Sequence, residues 1–173
     1  MKRPVAQPAQ RLAAGSTERA PLNVVLVEPQ IPPNTGNVAR LCAATGCALH
    51  LVGPLGFSID DRALKRAGLD YWHAVDLHEH ASLDEFFGAW RGSFWLMSTR
   101  AALNYSSASF AIGDALVFGK ETAGLPQALL DAHSERALRV PMREGAVRSL
   151  NLSTSVGIVT YAALAELGFP GLR

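Results

Sequence analysis

An α/β domain, with a mainly parallel sheet and helices on both faces, is the fold class this sequence predicts. Three observations carry it. Short apolar runs rich in β-branched residues recur at short intervals. Helix-like stretches separate them. Glycine, proline or a capping pair stands at the joints.

Leu22–Val27 is the first such run and reads as a buried strand, broken by Pro32 and Pro33. A helix fits from about Asn34 to Thr45, closed by Gly46. Ala48–Val52 is a second strand, ended by Gly53-Pro54. Asp60–Leu69 reads as helix, with Gly68 near its end, and His73–Leu77 as a third strand. Ser82 with Glu85 makes a capping box for a helix running to Trp90. Phe94–Ser98 and Ala115–Phe118 are further strands, Pro126–His133 a short helix and Ala137–Val140 a last strand. Asn151–Leu167 is a long helix stopped by Gly168 and Pro170. Val156, Ile158, Val159, Tyr161, Leu164 and Leu167 cover more than one of its faces. Such a helix is buried on several sides, either centrally in the core or with a second subunit supplying one side.

The 173 residues suit one domain, and 49% hydrophobic against 18% charged residues supply a real core. Residues 1–20 lack apolar periodicity and read as a flexible tail, which leaves 21–173 as the domain. No apolar run is long enough to cross a bilayer, and the N-terminus does not read as a secretory signal. Cys42 and Cys47 are the two cysteines; they read as buried inert thiols in a reducing, cytoplasmic setting. Net charge is +1, so bulk charge alone does not point to nucleic acid. The basic residues do cluster, as Arg62, Lys65 and Arg66 and again as Arg136, Arg139, Arg143 and Arg148. Either cluster is a solvated face or a phosphate contact.

Three segments fall beside strand ends, where ligands sit in open parallel sheets. In Asn34–Arg40, Asn34 or Thr35 can cap the helix, Gly36 permits close approach, and Arg40 is near enough to the helix start to reach a phosphate. In Phe118–Leu125, Gly119-Lys120 lacks the spacing of a phosphate loop, and the carboxylate of Glu121 suits a neutral or cationic ligand. In Ser149–Ser153, Ser149 or Asn151 caps the long helix. Taken singly, each is also explained as a helix cap or a tight turn. His78 and His80 share a strand face, but no third ligand has suitable spacing, so no metal site is expected. No dinucleotide-binding glycine fingerprint and no Gly-x-Ser-x-Gly elbow occurs.

Together and in this order, the three segments resemble the SPOUT methyltransferases. The stretches from Glu28 to Asn37, from Arg66 to Tyr71 and from Leu167 to Gly171 are similar to the TrmL type, the small tRNA 2′-O-methyltransferases. The resemblance covers about Leu22 to the C-terminus. It implies a C-terminal trefoil knot, S-adenosyl-L-methionine as cofactor, and methylation of the wobble cytidine or uridine ribose in the tRNA anticodon stem-loop. It also implies a homodimer formed through the last helix and the knot region. Met97, Ser98, Thr99, Gly119, Glu121, Gly124, Val140, Met142, Ser149 and Leu150 would then bind the cofactor, with S-adenosyl-L-homocysteine as product. Arg40, Asn34 and Tyr161 would be catalytic. Arginine is a poor base, so Arg40 is better read as holding the RNA phosphate and the emerging alkoxide, with the proton passing to Tyr161, phosphate or water. Ala123 departs from the family pattern, in which arginine is frequent. The rival readings are the same chemistry on another tRNA or rRNA nucleotide, and a knotted domain that binds cofactor or RNA without transfer.

Overall fold

Seven strands, every pair of them parallel, make one sheet in the computed structural model, which describes residues 20–57 and 72–173. They are β1 (Asn23–Val27), β2 (Ala48–Val52), β3 (Leu77–His80), β4 (Phe94–Met97), β5 (Leu103–Asn104), β6 (Ala115–Phe118) and β7 (Ala137–Arg139). Their order across the sheet is β3-β2-β1-β6-β4-β7-β5. The chain lays β2 and β3 to one side of β1 and crosses over for β4. It then returns to insert β6 between β1 and β4, and β7 between β4 and β5. That reversal opens a crevice at the carboxyl ends of the central strands.

Among the described residues, four helices flank the sheet: α1 (Pro32–Thr45), α2 (Leu83–Ala89), α3 (Gln127–Ala132) and α4 (Leu152–Glu166). Val38, Ala39 and Cys42 of α1 and Val156, Val159, Ala163 and Leu164 of α4 share a core with Leu26, Leu49, Leu116 and Leu138. Phe86 of α2 and Leu130 of α3 cover the other face, over Val25, Leu96 and Val117. Covering both faces explains why β2 and β6 are buried at every position and read as unbroken apolar runs. Each fully buried leucine of this sheet stabilises the fold by about 1.5–3 kcal/mol relative to exposure.

Several boundaries differ from expectation, each for a physical reason. Helix α1 begins at Pro32, not Asn34, with Ile31 as its N-cap and no side-chain cap bond. Prolines fit a first turn, where an N–H has no intrahelical partner and φ is already set. Neither expected cap therefore caps α1: Asn34 lies inside the first turn, and the Thr35 hydroxyl is buried without a hydrogen-bond partner among the described residues. The third strand is Leu77–His80 instead of His73–Leu77, and residues 72–74 form a 3-10 turn. An edge strand of sequence Leu-His-Glu-His exposes its middle residues and carries no apolar signal. The two-residue β5 on the opposite edge was invisible for the same reason. Ser82 does cap α2 by accepting from the Glu85 N–H, while the Glu85 carboxylate accepts from the Ala81 N–H. The expected helix Asp60–Leu69, the cluster Arg62, Lys65 and Arg66, the stretch from Arg66 to Tyr71 and residues 1–19 lie outside the described residues. Cys42 and Cys47 are free and buried, and burial pushes both thiols up.

The shared face of His78 and His80 has a use within the fold. His50, 6% exposed on β2, stacks on His78 at 4.6 Å, and Phe86 and Trp90 meet its ring at steep angles. Its Nε2 lies 3.1 Å from Asn23 Oδ1 and its Nδ1 3.0 Å from His80 Nε2. Asn23 Nδ2 donates to the Gly113 carbonyl, which turns Oδ1 toward the ring. Neutral His50 thus donates from Nε2 and accepts at Nδ1. Burial, and then the charges His78 and His80 would carry, lower its pKa from 6.5 to about 3. The unfolded chain therefore binds this proton first as pH falls. Stability is full well above pH 6.5 and declines toward about pH 3, at a slope approaching about 1.4 kcal/mol per pH unit. Denaturant titrations across this window should show that decline in the wild type and a shallower one in His50→Gln. Equal slopes would remove His50 as its source.

Candidate active site

A cleft of about 570 Å³ opens at the carboxyl ends of β4, β6 and β7 and the amino ends of α1 and α4. That is a size suited to a small-molecule ligand. Its wall after β4 is Met97, Ser98, Thr99 and Arg100; the loop after β6 contributes residues 118–125; Val140 and Met142 follow β7; and residues 148–152 lead into α4.

A chain of side-chain hydrogen bonds ties together the three segments singled out by sequence. Asn34 Nδ2 donates to Glu121 Oε1 at 3.0 Å, and Asn151 Nδ2 donates to Asn34 Oδ1 at 2.9 Å. Asn151 Oδ1 in turn accepts from the Ser153 and Thr154 backbone N–H groups and from the Ser153 hydroxyl. Of the two expected caps of the long helix, Asn151 is therefore the one used. The Glu121 carboxylate also accepts from the backbone N–H groups of Gln30, at 2.9 Å, and Ile31, at 3.2 Å. From a distant loop it thus holds the turn that leads into α1. The carboxylate expected to suit a neutral or cationic ligand also has three donors from the chain itself. Glu121→Gln turns an NH2 group toward those donors and should destabilise the protein by about 1–3 kcal/mol. Thermal denaturation measures this, and an unchanged Tm would mean that the network carries no load.

The loop after β6 is closed on itself. Lys120 and Gly124 pair across it, with the Gly124 N–H donating to the Lys120 carbonyl at 2.8 Å, and Gly124 adopts φ 70°. Gly119 packs so tightly that a Cβ there would lie 2.1 Å from the Gly124 carbonyl carbon and 2.2 Å from the Leu125 nitrogen.

All ten residues expected to hold the cofactor line this cleft: Met97, Ser98, Thr99, Gly119, Glu121, Gly124, Val140, Met142, Ser149 and Leu150. Asn34 lines it as well. Two of the expected catalytic residues do not. Arg40 is exposed on α1, six residues and about 9 Å along the helix axis from Asn34. Tyr161 is 46% exposed on α4, ten residues and about 15 Å beyond its cap. The helices α1 and α4 pack on each other on one face of the sheet. Within one subunit Arg40 is not among the residues that line the cleft.

The late basic cluster is divided. Arg136 precedes β7, at the opposite end of the sheet, where it donates to the Ser93 hydroxyl and the Phe94 carbonyl and lies over the Phe94 ring. Arg139 Nε donates to Asn104 Oδ1 on the neighbouring strand. Arg148 lines the cleft, together with Arg100 and Lys120, neither of which sequence reasoning had assigned a role. Position directly after a strand end was the one signal available for Arg100.

Comparison with known proteins agrees with this geometry. The chain is 45% identical over 157 residues to the tRNA (cytidine(34)-2'-O)-methyltransferase of Yersinia pestis, covering 87% of this chain and 96% of that one. It is 45% identical over 152 residues to the enzyme of the same name from Escherichia coli (strain K12), covering 87% and 96%. A solved structure concerned with 2-OH methylation of C/U34 on tRNA superposes with a TM-score of 0.80 at 46% identity, over 85% of this chain and 96% of that one. The model of the SpoU rRNA Methylase family matches residues 21–161, most of the chain's length, and to that family the chain belongs.

Proposed function

We propose that this chain is a tRNA 2′-O-methyltransferase that moves the methyl group of S-adenosyl-L-methionine to the ribose 2′-hydroxyl of the wobble cytidine or uridine. The observation that carries this reading is the cleft itself, which gathers the three motif segments at the carboxyl ends of the sheet. Relatives that share nearly half of its residues over nearly their whole length are named tRNA (cytidine(34)-2'-O)-methyltransferases.

The cleft fits an adenosyl ligand. Met97, Val140, Met142 and Leu150 offer apolar surface for a planar base, and Ser98, Thr99 and Ser149 offer hydroxyls for the polar ends. When bound, S-adenosyl-L-methionine supplies a methyl group already activated by a sulfonium sulfur. What remains for the chain is to align the ribose oxygen and to manage its proton. In this reading Arg40 grips the adjoining phosphate and steadies the alkoxide, and the proton leaves to Tyr161, phosphate or water.

Arg40 and Tyr161 stand outside their own cleft, on the paired helices α1 and α4. A homodimer formed through α4 would bring a partner's cleft to these exposed side chains, and the apolar residues on more than one face of α4 suit such a contact. The insertion of β6 and β7 between strands laid down earlier is a strand order compatible with a C-terminal trefoil knot. A cytoplasmic location follows from a tRNA substrate. Among the described residues no helix is long and apolar enough to cross a membrane. Transfer of labelled methyl from S-adenosyl-L-methionine to total tRNA, followed by mapping of the modified nucleotide, tests the reading. Label on the ribose at position 34 is the expected result. Label on another nucleotide would move the site, and no label would sink the proposal.

A further inference from the structure

The turn between β1 and α1 is held from outside. Glu28 takes φ 49°, a left-handed conformation that a residue with a side chain adopts only when its surroundings impose it. Its N–H donates to the Val52 carbonyl at 2.7 Å. Lys120 Nζ donates to Glu28 Oε2 at 2.6 Å, and both side chains are only about one-third exposed. The same loop adds a bond from the Thr122 hydroxyl to Gln30 Oε1 at 2.7 Å, beside those of Glu121 to the Gln30 and Ile31 amides. On the far side, the Gly56 N–H donates to the Pro29 carbonyl, and a Cβ on Gly56 would lie 2.9 Å from the Gln30 Cα. Pro32 and Pro33 follow at once, so the direction in which α1 leaves is decided within this turn.

A lysine beside a ligand cleft invites the reading that it touches the ligand. Its ammonium is instead committed to Glu28, in a partly buried, charge-assisted bond that is stronger than an exposed ion pair. We infer that Lys120 is a positioning residue: through Glu28 it locks the β1–α1 turn against the β6–α3 loop and so sets where Asn34 and Arg40 stand relative to the cleft. The inference rests on the proposed function only in giving Asn34 and Arg40 a part in the reaction.

Hydrogen exchange on the full chain tests it without substrate or cofactor. In Lys120→Met and in Glu28→Gln, the amides of residues 28, 30, 31 and 34–36 should exchange about ten-fold faster or more, while those of 94–97 in β4 keep their protection. Lys120→Arg keeps the charge and should retain the slow exchange. The double variant Glu28→Gln/Lys120→Met should match either single one, because both remove one interaction. In the activity arm, Lys120→Met should lower kcat about ten-fold with cofactor Kd within about two-fold of wild type. Unchanged exchange over 28–36, faster exchange throughout the protein, additive effects in the double variant, or parallel loss of cofactor binding and kcat would each overturn the inference. A wild type that transfers no methyl group would end the functional reading and leave the coupling to be judged on exchange alone.

Discussion

Gly119→Ala is expected to abolish cofactor binding while the sheet stays folded. The added Cβ would stand 2.1 Å from the Gly124 carbonyl carbon, 2.2 Å from the Leu125 nitrogen and 2.4 Å from the Gly124 oxygen. All three are backbone atoms, so no rotamer change relieves the overlap, and the 119–125 loop must open. Opening it draws Glu121 away from Gln30, Ile31 and Asn34, so one methyl group disturbs both the wall of the cleft and the start of α1. Cofactor affinity measured by calorimetry should fall at least about 100-fold, because the loop's bound geometry is no longer available without strain. Far-UV circular dichroism should be retained, since β6 is buried against β1 and β4 at every position. Gly88→Ala is the control. Nothing lies within 4 Å of a Cβ there, and in helix α2 alanine should stabilise by about 0.5–1 kcal/mol. If Gly119→Ala binds cofactor within two-fold of wild type, the loop is not a wall of the site.

The cleft could be located from sequence because its parts are local signals. Glycine turns and helix caps at strand ends mark where an α/β sheet opens, and the 34–40, 118–125 and 149–153 segments each carry one. What joins them could not be read. Asn34 and Glu121 are 87 residues apart and Asn34 and Asn151 are 117 apart, so no local periodicity contains either bond. From sequence, Asn34 and Asn151 read as possible caps of their own helices and Glu121 as a carboxylate facing a ligand. Only Asn151 is a cap, while Asn34 is a link and Glu121 supports a turn 90 residues away. The same limit explains the basic residues. Arg136 and Arg148 look like one cluster along the chain, yet β7 runs between them and sends them to opposite ends of the sheet. Central strands were legible because burial on both faces makes them uniformly apolar. The edge strands β3 and β5 were not, since solvent relaxes that requirement.

Arg40 sets the second large expectation, and its position decides the form of the test. Because it stands outside the cleft of its own subunit, Arg40→Ala should leave cofactor affinity near wild type and lower kcat by about 10²–10³-fold, the usual loss when a donor to developing charge is removed. Arg40→Lys keeps the charge without the planar fork and should recover only part of that loss. Wild-type turnover in Arg40→Lys would exclude a two-pronged grip on phosphate. Weakened cofactor binding in Arg40→Ala would mean that the residue acts on the cleft directly. Mixing subunits separates action within a protomer from action across a dimer. A Gly119→Ala subunit lacks a working cleft but presents Arg40, and an Arg40→Ala subunit has the reverse defect. If Arg40 serves the partner's cleft, each mixed dimer has one complete site. Random pairing of equal amounts then makes half the dimers mixed and restores about a quarter of wild-type activity from two nearly inactive proteins. If Arg40 serves its own cleft, no site in any dimer is complete and mixing restores nothing.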